Sequence, residues 1–150
     1  MYKLTIHKET VPGFPETLPF KGPEHVVAAF REIVPEDDPR EHLVVFLLNR
    51  DNKITSFLEA SVGGSEKCVI DRRLVALTAN GVLAHSVVLV HNHPFGNCLP
   101  GISDINETGG LKKALDLFNI NLLDHIIIGE DGSYYSFADE RVSSLKNNAK

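Results

Sequence analysis

Leu43-Val44-Val45-Phe46-Leu47-Leu48 is an unbroken apolar run, closed by the polar turn Arg50-Asp51-Asn52-Lys53. It falls far short of the roughly 18–20 apolar residues of a membrane span. A short run without polar alternation reads as a strand covered on both faces. His42–Asn49 is therefore expected as a central strand, and the chain must supply packing layers on both sides of a sheet.

The rest of the chain provides them. Residues 1–21 are a lead-in punctuated by Pro12, Gly13, Pro15 and Pro19, with a short edge strand expected at Tyr2–His7. Val26, Val27, Phe30 and Val34 recur at helical spacing after Pro23, which suits a first helical turn. Ile54–Ala60 is the expected hairpin partner of the central strand. Asp71 reads as the N-cap of a helix over Arg72–Asn80, with Gly81 as its stop. Ser86–Val90 is a second buried strand. Leu111, Ala114, Leu115 and Phe118 mark a third helix, and Gly109-Gly110 argues that it starts late or sits in a mobile stretch, since each glycine costs about 1 kcal/mol inside a helix. Leu122–Gly129 and Ser133–Phe137 close the order as strands, and 143–150 is a polar tail. The expected fold class is α/β (α+β mixed): one domain, over 22–142, with a mixed β-sheet flanked by helices.

Composition narrows the function. The chain has 150 residues and a formal net charge of −5. Non-specific nucleic-acid coating draws on a Lys/Arg excess that is absent here, so charge does not support that partner. Two cysteines, Cys68 and Cys98, form no disulfide framework, and the N-terminus lacks a signal-peptide core, so the expected location is cytoplasmic, with no membrane association. Glu36-Asp37-Asp38, between two prolines, reads as a solvated loop. His7, His25, His42 and His85 have no partner pattern and read as surface or strand-end residues.

Chemistry concentrates in Val90-His91-Asn92-His93-Pro94-Phe95-Gly96 and Asp104. Two histidines two apart on a strand project to one face. Asp104 follows His93 by eleven residues, at the expected start of a helix, and can return a carboxylate to the same point. Two imidazoles and one carboxylate leave one position of a tetrahedral zinc open for water. The plainer alternative for Asp104 is helix capping through Asp104-x-x-Glu107. Cys98 is a further soft donor or simply a small loop residue. Asp124-His125 on a strand offers packing or hydrogen bonds to the ligands.

The segment His91-Asn92-His93-Pro94-Phe95-Gly96 with Asp104 resembles the motif of the JAMM (JAB/MPN+) metalloproteases, in the version carried by their RadC-like branch. Leu122–Gly129, Tyr134–Ala138 and Pro23–Val26 resemble the end and the start of that domain, so the resemblance covers about 22–142. It implies a JAB/MPN-like (cytidine deaminase-like) fold and one zinc ion held by His91, His93 and Asp104. It also implies hydrolysis of peptide or isopeptide bonds in a peptide or protein-conjugate substrate. The general base matches Glu59, with Glu66 as fallback; taken alone, Glu59 is a solvent-facing strand carboxylate. The family Ser that steadies the oxyanion is Gly101 here, with Ser103 two residues out of register. Losing one such donor costs about 10²–10³ in rate, so the alternative is a metal-binding scaffold or regulatory domain with weak or no catalysis. The branch's name also links it to DNA repair. Ser103, Asp124 and His125 are the candidates for steering the ligands.

Overall fold

The computed structural model describes residues 1, 3, 5–63 and 69–140. Glu66, Cys68 and the tail 143–150 lie outside them. The elements are β1 (Leu18–Pro19), α1 (Pro23–Ile33), β2 (His42–Leu48), β3 (Lys53–Val62), α2 (Arg72–Gly81), β4 (Ser86–His93), α3 (Ile102–Asp116), β5 (Asn121–Gly129) and β6 (Tyr134–Ser136). They build one mixed sheet in the order β1-β3-β2-β4-β5-β6. Only β4 and β5 run parallel, joined by α3. The mixed α/β expectation holds.

The apolar run of β2 is buried along its whole length because its two faces feed two cores. Val44, Phe46 and Leu48 join Val26, Val27 and Phe30 of α1. Leu43, Val45 and Leu47 join Val75 and Ala79 of α2 and Leu111 and Leu115 of α3. Burying a large apolar side chain contributes roughly 1.5–3 kcal/mol, so this double burial is what puts β2 and β4 at the centre.

Local differences from expectation have physical causes. Tyr2 and Leu4 of the expected Tyr2–His7 strand lie outside the described residues, and no strand forms among the described residues of 1–17; a short edge strand is Leu18–Pro19, paired with Ile54 and Lys53. Asp71 caps α2 as expected, accepting from the Arg73 and Leu74 amides at 3.0 Å. Gly81 is not the turning residue, however; it closes the helix, and Leu83, at φ 57°, takes the left-handed position. Helix α3 neither starts late nor breaks at its glycine pair, because Thr108 and Leu111 anchor it in the interior. A Cβ at Gly110 would lie 2.5 Å from the Arg72 guanidinium, so glycine lets that α2 side chain cross the helix. No helix among the described residues is long and apolar enough to cross a membrane.

Candidate metal centre

Strand β4 continues past the expected Val90 to His93. Alternation then sends His91 and His93 to the α2/α3 side of the sheet, in step with Val87 and Leu89. Asn92 is used on the other side. Its Nδ2 donates to the Arg40 carbonyl (3.1 Å), and its Oδ1 accepts from the His42 amide (2.7 Å). Those residues are themselves fixed: the Asp38 carboxylate binds the Arg40 guanidinium and lies 3.0 Å from His42 Nε2. Arg40 holds the Asp38 carboxyl well below the usual carboxylate range. Asp38 is thus a clamp rather than a freely solvated loop residue, and His42 is at a strand end, as expected, but buried.

After His93 the chain turns, with the Gly96 amide on the His93 carbonyl (3.3 Å). The β5–β6 turn pins this loop through the Glu130 amide on the Gly96 carbonyl (2.9 Å). Gly129 lies against the same loop: a Cβ there would sit 2.9 Å from the Cys98 amide nitrogen. The Cys98 thiol is 3.4 Å from the Ser133 hydroxyl. The loop delivers α3, on which Asp104 is the third helical residue. Asp104 Oδ2 accepts from the Gly101 amide at 2.7 Å, so the carboxylate does cap the helix, but from inside its first turn.

Three donor sets converge here. His91 Nε2 and His93 Nε2 are 3.0 Å apart. Asp104 Oδ1 is 3.7 Å from His91 Nε2, and Oδ2 is 3.9 Å from His93 Nε2. One ligand atom from each residue lies within 4.8 Å of the others. Bonds of about 2.0–2.1 Å at tetrahedral angles put neighbouring donors about 3.3 Å apart, and the observed separations bracket that value. The residues therefore fit one small divalent ion. His91 is buried, whereas the His93 side chain is 23% exposed, which leaves an open approach.

Behind the cluster the rings are locked. His93 Nδ1 bonds to the Asn97 carbonyl at 2.8 Å. His91 Nδ1 meets His125 Nε2 at 2.8 Å, and His125 Nδ1 meets Thr108 Oγ at 2.6 Å. His125 is fully buried and stacked on Phe137, with ring centres 4.8 Å apart. Burial, then the neighbouring His91 and His93 rings, push its pKa well below the ordinary histidine value. Thr108 is the member the sequence reading missed; its one signal is a position four residues after Asp104, on the same helix face.

The remaining candidates stand elsewhere. Ser103 Oγ donates to Glu107 Oε1 at 3.4 Å. Asp124 turns from the cluster and accepts from the Ser136 hydroxyl and the Ala138 and His125 amides. Gly101 occupies the N-cap of α3 without a hydroxyl to offer. Glu59 is exposed on β3, paired with Val44, which pairs in turn with Val90. It therefore lies one residue out of step with the Leu43–His91 row, next to a register shift in β3.

The sequence model of one family, described as the RadC-like JAB domain, matches residues 20–142. The chain is 44% identical over 114 residues to a UPF0758 protein of Porphyromonas gingivalis strain W83, a match covering 75% of this chain and 50% of that protein. It is 43% identical over 103 residues to a UPF0758 protein of Chlorobaculum parvum, covering 69% of this chain and 46% of that one. The chain thus spans about half the length of the curated relatives it matches.

Proposed function

The chain belongs to the RadC-like JAB domain family, and from that premise we propose that it is a zinc-dependent hydrolase of peptide or isopeptide bonds. The observation that supports this reading is the convergence of His91 Nε2, His93 Nε2 and the Asp104 carboxylate around a point with one open side. When bound there, zinc would supply a Lewis acid and bring the ionisation of water near neutral pH. The chain's own residues supply the rest. His91, His93 and Asp104 hold the ion, and the β4–α3 loop sets the approach. Glu59 is the proposed base, accepting a proton on its carboxylate and returning it to the leaving amine.

The test is hydrolysis of a peptide library by zinc-loaded protein, with chelated protein as reference. Glu59→Gln should lower the rate about a hundredfold or more while zinc content stays unchanged. Chelator-sensitive hydrolysis indifferent to Glu59→Gln would move the base to another residue. Two observations favour a second reading, a metal-holding scaffold without catalysis: glycine at position 101, and the offset of Glu59 from the His91 row. For that reading, wild type is inert and Gly101→Ser alone does not restore turnover. If only the oxyanion donor is missing, Gly101→Ser should raise the rate by about 10²–10³.

A further inference from the structure

We propose that Thr108 is a positioning residue that fixes the tautomer of His91, and so decides whether a proton or a metal ion sits between His91 and His93. The argument is a count of hydrogens. The Thr108 hydroxyl has one. Its oxygen lies 2.5 Å from the Asp104 carbonyl oxygen, which has no hydrogen and can only accept, so the hydroxyl is the donor. That hydrogen is therefore committed to Asp104. The 2.6 Å contact between Thr108 Oγ and His125 Nδ1 must then be supplied by the ring, as Nδ1–H. With a single ring hydrogen, placed on Nδ1 by this contact, His125 presents a lone pair at Nε2. Across 2.8 Å this lone pair accepts from His91 Nδ1–H. The His91 hydrogen is thus on Nδ1, and Nε2 carries a lone pair.

His93 arrives at the same state independently, because a carbonyl accepts only: its Nδ1 must donate to Asn97. Two lone pairs then face each other at 3.0 Å, an arrangement that favours a cation between them. The opposite relay uses the same number of hydrogens. Thr108 would donate to His125 Nδ1, His125 Nε2–H to His91 Nδ1, and His91 Nε2–H to His93 Nε2. In that state a proton fills the place of the metal. The Thr108–Asp104 hydrogen bond selects the first relay, and it ties one proposed ligand, Asp104, to another, His91, through two residues outside the donor set. Groups that orient metal-bound histidines typically contribute 10–100-fold to affinity.

The test is nitrogen-15 NMR of the metal-free protein at a pH where the imidazoles are neutral, with zinc affinity measured by chelator competition. Wild type should show His91 protonated on Nδ1. Thr108→Val, nearly the same shape, should shift the hydrogen to Nε2 and weaken zinc about 10–100-fold. Thr108→Ser should restore both. A wild-type His91 protonated on Nε2, or a Thr108→Val protein with unchanged tautomer and affinity, overturns the proposal. Should Thr108→Val fail to fold, the wild-type and Thr108→Ser tautomers still decide it. The tautomer is read in the metal-free protein, so the expected tautomer in a protein that binds no zinc would sink the hydrolase reading and the affinity effect while leaving the placement of the His91 hydrogen by Thr108 standing.

Discussion

Replacing both imidazoles, His91→Ala with His93→Ala, is expected to take bound zinc from one ion per chain to background, a loss of at least about 10³ in affinity, or roughly 4 kcal/mol. Two of the three converging donor sets disappear, and the remaining carboxylate is already engaged by the Gly101 amide. A lone carboxylate does not hold zinc against buffer and water. Metal analysis of the purified proteins, with titration of a zinc indicator, gives the readout. Equal zinc in both proteins would remove the metal centre altogether. Because His91 is buried against His125, the double variant also leaves a void. His93→Ala is the cleaner companion: its ring is partly exposed, and its loss should weaken binding without loosening either core.

What the sequence reveals about this site, and what it hides, follows from the range of the forces involved. His91 and His93 are legible because strand alternation is local and the apolar run before them leaves one geometry. Asp104 is legible both as a cap and as a member of the cluster, since a carboxylate at the third helical position reaches the first turn's amides and the strand end together. Thr108 is all but hidden. Its spacing from Asp104 is its one signature, and its role exists only because β5 brings His125 beside α3. Asp124 and Ser103 look as near to the ligands in sequence as His125 does, yet each finds its hydrogen-bond partners elsewhere. The glycine pair in α3 misleads for the same reason. Local propensity opposes a helix there, while the burial of Thr108 and Leu111 and the passage of Arg72 over Gly110 favour it. Non-local packing overrides a penalty of about 1 kcal/mol per glycine.

Asp124→Ala is expected to cost about 4 kcal/mol of stability, a large share of the roughly 5–15 kcal/mol available to a domain. The carboxylate is 2% exposed and accepts from the Ser136 hydroxyl at 2.7 Å, the Ala138 amide at 2.9 Å and the His125 amide at 2.8 Å. Alanine leaves these donors in the interior without acceptors, at about 1–3 kcal/mol for each one that water cannot reach. The damage extends to the site, because these bonds hold the end of β6 that stacks Phe137 on His125. Urea unfolding measures the loss, and a change below about 1 kcal/mol would show the contacts to be replaceable. Asp124→Asn separates charge from hydrogen bonding. Burial raises the Asp124 pKa above 3.8 in the folded protein, against the pull of its hydrogen bonds. As pH climbs past 3.8, the unfolded chain gives up this proton first, so the folded state binds more protons and loses stability until it too ionises. The wild-type advantage over Asp124→Asn should therefore shrink through that window and level off above it.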